Sequence, residues 1–286
     1  MPKYLFAVFL PLLAAFQASG QGRTAECLSV LRGAMAHSSQ FLVRMHAAEA
    51  LTGNGYTNNV AGYFPLRRRM PSIETTGSAR VRARLQRRKA MERRIIKEFL
   101  HADSARARLT ALESLAKIGF SKPLRSITAQ ADTGSGGFRA MALWVLANNG
   151  TAQGEERLAA LLASDVPAES YYAAYALRFR QRILPATYRL LDSCARAVTT
   201  GSTGSVLVLS SFYAHAAPER LAEARAALLN CLQGNAGDRY QVAEGLALRG
   251  GPADLPVLER MLADENEDVR VAAANAILHI EQRNKQ

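Results

Sequence analysis

The sequence predicts an all-α chain built from stacked pairs of short helices. Three observations carry that expectation. An eight-residue helical motif recurs along the chain, several times at a spacing of 31 residues. Hydrophobic residues make up 49% of the chain but aromatics only 7%, with alanine abundant, which favours closely approaching helices over strands. Proline or an acid opens many of the candidate helices and glycine closes them.

The motif is plainest near the end, where Arg270–Ile277 reads RVAAANAI. Related stretches are Arg44–Leu51 (RMHAAEAL), Arg108–Leu115 (RLTALESL), Arg139–Leu146 (RAMALWVL) and Arg239–Leu246 (RYQVAEGL). Ser170–Leu177 (SYYAAYAL) fits with serine in place of arginine. The last residues fall at 51, 115, 146, 177, 246 and 277, so the intervals are 64, 31, 31, 69 and 31. The two long intervals are near double the short ones. Each is expected to hide a degenerate copy, at Ala79–Gln86 and at Ser205–Phe212 (SVLVLSSF). A fixed period of this length marks a stacked array, here of about seven or eight units.

Each unit carries a first helix before the alanine-rich one. Glu155–Ala163, Pro218–Leu232 and Asp254–Ala263 are examples, and Gly53, Gly119, Gly150 and Gly250 stand where second helices should stop. The alanines let the second helix pack tightly between its counterparts. No unit can bury its own faces alone, so neighbours complete one another's core.

Asp264–Ile277 (DENEDVRVAAANAI) resembles the DxxVRxxAAxAL signature of HEAT repeats of the short, PBS-lyase-like type. The resemblance extends over most of Gly22–Arg283 and departs from the pattern at residues 64–94, a degenerate basic insertion, and near Ser205. It implies a right-handed α-solenoid with the second helices lining the concave face. It carries no activity, because this repeat serves scaffolds, enzyme-associated modules and a few enzymes.

The N-terminus has the form of a secretory signal. Lys3 is basic, Tyr4–Ala15 (YLFAVFLPLLAA) is apolar, and Ala18-Ser19-Gly20 predicts cleavage before Gln21. The competing reading is an uncleaved anchor, but a membrane span needs about 20 apolar residues and this run is shorter and broken by Pro11. Glu26 before Cys27 does not suit a lipoprotein signal. Export places Cys194 and Cys231 where they could bridge; the alternative is that Cys27, Cys194 and Cys231 all stay free thiols. The histidines at 37, 46, 101, 215 and 279 lack metal-ligand spacing, so neither metal nor other cofactor is expected.

Within the motif, positions 3 and 6 vary and share one helix face. Down the chain they read His46/Glu49, Thr110/Glu113, Met141/Trp144, Tyr172/Tyr175, Gln241/Glu244 and Ala272/Asn275, with Lys117, Asn148, Phe179 and His279 one turn further on. If the second helices are concave, this is an inner wall, aromatic in the middle and polar at the flanks. It is a candidate groove for a protein partner. The same rings could equally be packed against the next helix pair. The motif arginines are expected to link adjacent units through acids such as Asp238 and Asp268 rather than to form an anion ladder.

Of the net charge of +12, +10 falls in Arg67–Lys97. The cluster comprises Arg67, Arg68, Arg69, Arg80, Arg82, Arg84, Arg87, Arg88, Lys89, Arg93, Arg94 and Lys97 against Glu74 and Glu92. It is a candidate polyanion site, with a solvated helix face as the alternative. Export disfavours nucleic acid and points to sulfated or uronic-acid glycans, lipopolysaccharide or acidic proteins, with a role accessory to a glycan-degrading or redox enzyme as a further reading.

No catalytic set is found. Glu49, Glu113 and Glu244 have the residue type for acid–base work, but equivalent positions of neighbouring helices lie about 10 Å apart, too far to share a proton. The Gly/Ser stretches Asp132–Gly137 and Thr199–Ser205 follow no strand and lack the Gly-Lys-Ser/Thr ending, so they are turns. The sequence therefore predicts a non-catalytic exported scaffold that binds a protein, with a binder of acidic polysaccharide as the alternative.

Overall fold

A computed structural model describes residues 5–56, 89, 92–198, 201–202 and 204–284, with side chains from Gln21 onward. Among these residues the secondary structure is all helix and turn, without a strand. The helices are α1 (Leu5–His37), α2 (Phe41–Gly53), α3 (residues 92–101), α4 (Ala105–Lys117), α5 (Arg125–Thr133), α6 (Gly136–Ala147) and α7 (Ala152–Ala160). They continue as α8 (Pro167–Arg178), α9 (Pro185–Ala197), α10 (Ser205–His215), α11 (Leu221–Asn230), α12 (Ala236–Arg249), α13 (Leu255–Met261) and α14 (Glu267–Arg283). Every motif copy in the described residues lies on an even-numbered helix, and the first helices precede it as expected. The copy expected at Ala79–Gln86 lies outside the described residues.

Local chemistry sets the boundaries. The Ser104, Thr151 and Asn266 side chains accept backbone N–H groups at the starts of α4, α7 and α14. Asn235 and Asp238 form a reciprocal capping box on α12. Caps of this kind each contribute about 1 kcal/mol. Pro167 and Pro185 open α8 and α9, where the missing N–H has no intrahelical partner to lose. Gly119 and Gly150 close their helices with φ of 74° and 78°. Gly53 does not stop α2 in that way, and Gly250 has φ −58°. At Gly250 closeness is what matters, since a Cβ would lie 2.5 Å from the Leu246 carbonyl oxygen.

The chain divides into two compact units, Met1–Tyr63 with Asn235–Gln286, and Phe64–Gly234. The second unit is contiguous. Within it α4, α6, α8 and α10 pack side by side in chain order, and α5, α7 and α9 back them. Its cores are the motif's alanines and last residues: Ala140, Ala142, Ala173, Ala174, Leu115 and Leu177 are sealed from solvent. Leu146, at the same motif position as Leu177, stays half-buried.

The first unit is assembled from the two ends of the chain. There α14 packs on α12 and α13, and also on α1 and α2. The neighbour that completes the first pair's core is thus the last helix, more than 200 residues away. Ser38 donates to Glu267 (2.6 Å), Asn54 Nδ2 donates to Asn275 Oδ1 (2.9 Å), and Gln282 donates to the Asn54 carbonyl (3.0 Å). Arg23 bridges Glu259 and Glu281. Sequence spacing gives each helix its face but not its neighbour, so this pairing was invisible to the repeat.

The motif arginines have two uses, which corrects the expectation of one. Arg239 reaches Asp264 of the following helix pair with two bonds, 2.7 and 3.0 Å, and Arg139 reaches Glu169 at 3.3 Å. Arg44 and Arg270 instead donate to carbonyls six residues upstream, Ser38 and Asp264. Arg108 is exposed and makes no ion pair among the described residues. The acids named from sequence work elsewhere: Asp238 caps α12, and Asp268 meets His46. The reason is register, since an arginine at the first motif position lies as close to its own incoming turn as to the next helix pair.

All three cysteines are free thiols. Cys194 lies against Ser170 and the Leu162 carbonyl, and Cys231 donates to the Ala227 carbonyl. Burial, with Glu26 nearby, pushes the Cys27 thiol up to about 12, so it stays protonated and unreactive at neutral pH.

Candidate functional site

The candidate partner-contacting residues of the wall divide between the two units. His46, Glu49, Gln241 and Glu244 belong to the first, and Thr110, Glu113, Met141, Trp144, Tyr172, Tyr175 and Phe179 to the second. The set in each unit has its own chemistry.

In the first unit the set is polar. His46 Nδ1 sits 2.7 Å from Asp268 Oδ1, with its ring 5.2 Å from that of Tyr240. Asn275 Nδ2 donates to Glu244 Oε1 at 3.4 Å while its own Oδ1 accepts from Asn54, giving a side-chain ladder across three helices. Glu49 and Gln241 are half-buried beside it. Burial pulls the His46 pKa down. The Asp268 hydrogen bond, with the charges of Asp268, Glu49 and Glu244, outweighs it and leaves the imidazole above its ordinary value.

In the second unit the set is aromatic and cationic. Position 6 of three successive motifs supplies Glu113, Trp144 and Tyr175; one turn on come Lys117, Asn148 and Phe179. Trp144 stacks on Phe179 (centroids 5.2 Å, 20°), and Tyr175 meets both rings edge-on at 6.0 and 5.1 Å. Lys117 Nζ lies 5.3 Å from the Phe179 centroid and Arg178 Cζ 4.9 Å from that of Tyr175. The Tyr175 hydroxyl donates to Glu113 at 2.8 Å, and Lys117 pairs with the same carboxylate at 2.7 Å. Burial and the Glu113 charge push the Tyr175 phenol up to about 12, so it remains a donor.

The structure corrects two of these residues as open groove wall. Met141 is 1% exposed and Trp144 3%, so both are core. Their helix, α6, is covered by neighbours on both sides, and a ring at position 6 fills the gap between them. Tyr172 lies against Gly137, where a Cβ would come within 2.9 Å of its ring, so that glycine lets the tyrosine in. Thr110 and Phe179 are half-buried.

What stays open is beside the stack. A cavity of about 360 Å³ is lined by Trp144, Asn148, Phe179, Arg180, Gln181 and Arg182. Its rim, the turn after α8, had no motif to announce it. Arg180 is anchored by Glu155 (Nε to Oε2, 3.1 Å) and by the Ala147 carbonyl (3.2 Å). Glu155 itself is buried and accepts the Leu184 N–H at 2.6 Å. The rim thus rests on a fixed polar base.

Of the basic cluster, Arg67, Arg68, Arg69, Arg80, Arg82, Arg84, Arg87 and Arg88 lie outside the described residues. Lys89, Arg93, Arg94 and Lys97 are exposed. No group of three His, Cys, Asp or Glu side chains suited to a metal occurs among the described residues. No helix among them is long and apolar enough to cross a membrane.

No curated protein matches the chain. Among solved structures, the crystal structure of an engineered protein aligns over 90% of this chain and 96% of its own at 18% identity, with a TM-score of 0.24. The HEAT repeat family model matches residues 255–282, which are α13 and nearly all of α14. At its C-terminal helix pair the chain is thus HEAT-like, a repeat whose members are generally protein-interaction scaffolds.

Proposed function

We propose that this protein is a non-catalytic, exported interaction scaffold that holds a protein partner on the wall formed by α4, α6 and α8. The observation that carries the reading is the open cavity beside the Trp144–Phe179 stack, an aromatic surface with a fixed polar rim. Buried aromatic anchors with polar rims are what protein interfaces use for affinity. The carboxylates with the residue type for acid–base chemistry support a structural role. Glu113 is held by Tyr175 and Lys117, and Glu244 by Asn275. The N-terminal apolar run supports export.

Affinity capture from the native envelope fraction at two salt concentrations tests the reading. One defined protein should be retained at both, and Phe179→Ala should lose it while unfolding as a single stable chain. Retention that vanishes at higher salt, or survives Phe179→Ala unchanged, overturns it. N-terminal sequencing of the mature protein should begin at Gln21; an intact Met1 terminus overturns export by cleavage.

A further inference from the structure

The cavity beside Trp144 is built asymmetrically, and its asymmetry selects a ligand. Its apolar lining is Phe179 and the stacked Trp144. Its polar lining includes the Arg180-Gln181-Arg182 turn. Arg180 spends Nε and Nη1 on Glu155 and the Ala147 carbonyl, which fixes its guanidinium. Arg182 is exposed and makes no ion pair among the described residues. Asn148 donates its amide N–H groups to the Ala116 and Phe120 carbonyls, at 2.8 and 3.2 Å, so its place in the lining is fixed as well.

Charge around the cavity is unbalanced. Lys117, Arg178, Arg180 and Arg182 stand against Glu113 and Glu155, a surplus of two positive charges among these residues. Lys117 and Arg180 are already paired, and Arg178 is buried with its guanidinium donating to Ser210 at 3.1 Å, which leaves Arg182 as the exposed cation available for a guest. A long polyanion would need a row of such cations. A single carboxylate needs one guanidinium, which it can engage through two parallel bonds. The volume suits one or two side chains.

We infer that this cavity receives an acidic side chain, Asp or Glu, of the protein partner, with the carboxylate on Arg182 and a neighbouring apolar side chain laid on Phe179 and Trp144. The inference rests on the scaffold reading and adds the chemistry of what the scaffold recognises. Binding combines a desolvated aromatic contact with one charge-assisted pair, so it is specific without being steeply salt-dependent.

Trp144 is the chain's only tryptophan, so its emission reports on the cavity. The full chain is titrated with a capped tetrapeptide carrying Phe-Glu, with its Phe-Gln counterpart, and with a trimer of galacturonic acid. The Phe-Glu peptide should change the emission saturably, and the Phe-Gln peptide should bind at least about tenfold more weakly, the loss of one charged contact. Arg182→Gln should weaken the Phe-Glu peptide by a similar factor with thermal unfolding unchanged. Equal binding of the two peptides, no response to either up to about 10 mM, indifference to Arg182→Gln, or saturation by the uronic acid trimer alone each overturns the inference. Capture of the same partner by wild type and Arg182→Gln would leave the scaffold reading standing while this inference falls.

Discussion

The two units use the same motif positions for opposite purposes. In the second, position 6 and the residue one turn on supply rings and cations, and the result is an aromatic stack in which Trp144 is sealed while Tyr175 and Phe179 stay half-buried. In the first, position 6 supplies Asn275 and Glu244, and the result is a hydrogen-bonded ladder that continues to Asn54. Rings gain from area and tolerate several packings. Amides and carboxylates gain only when donor meets acceptor, so they fix register. That difference suits the units' origins. The second folds from one contiguous stretch, where neighbours in sequence are neighbours in space. The first must join the two ends of the chain, and a ladder such as Asn54–Asn275–Glu244 specifies which faces meet.

The largest effect should come from breaking that long-range joint. Removal of residues 21–56 strips α2 and residues 21–37 of α1 from α14, leaving a helix with apolar faces uncovered. The first unit should lose its cooperative unfolding transition while the Trp144 signal of the second persists. A single unaltered transition, followed by both circular dichroism and tryptophan emission, would show that the joint carries no stability.

Trp144→Phe keeps the ring stack and should cost little, whereas a Met141→Ala core truncation in the same helix should cost about 2–5 kcal/mol. Urea unfolding measures both, and a Met141→Ala loss under about 1 kcal/mol would mean the side chain is less enclosed than its burial indicates. Glu155→Ala should follow at about 2–4 kcal/mol, because it strands the Leu184 N–H and the Arg180 guanidinium together. It should also loosen the cavity rim and weaken peptide binding, which a merely peripheral ion pair would not do.

The smallest effect sharpens the contrast between units through pH. His46 has its folded pKa raised, so its contribution is complete below the unfolded value of about 6.5 and is lost as pH rises through the folded one. Asp264 has its folded pKa lowered, by the Arg239 hydrogen bonds first, so its contribution is present above about 3.9 and is lost as pH falls through the folded value. The first unit should therefore be most stable in mildly acidic solution, between these limits. His46→Gln should abolish the loss on the alkaline side, and Asp264→Asn the loss on the acid side. Melting curves from pH 3 to 9 check both, and an alkaline limb that survives in His46→Gln would locate it elsewhere.

Much of the site was legible at the level of faces. Position 6 gathers Glu113, Trp144 and Tyr175, with Phe179 one turn further on, because helical spacing alone puts them on one side. What could not be read was depth. Met141 and Trp144 have the same spacing as Thr110 and Glu113, yet the first two are core and the others half-buried, since burial depends on what the flanking helices cover. The Arg180–Arg182 rim was missed because it lies in a turn outside the motif. Its buried anchor, Glu155, looked like an ordinary acid near a helix start.

By itself the sequence determined the all-α class, the seat of every motif copy in the described residues, and the caps that start the helices. Those follow from spacing and from contacts within a few residues. Only the tertiary structure decided that α2 closes on α14, that Arg239 crosses to the next helix pair while Arg44 folds back, and that Trp144 is sealed while Phe179 stays half-buried. Each of these depends on which surface arrives from a distant part of the chain, and a periodic pattern makes all such surfaces look alike.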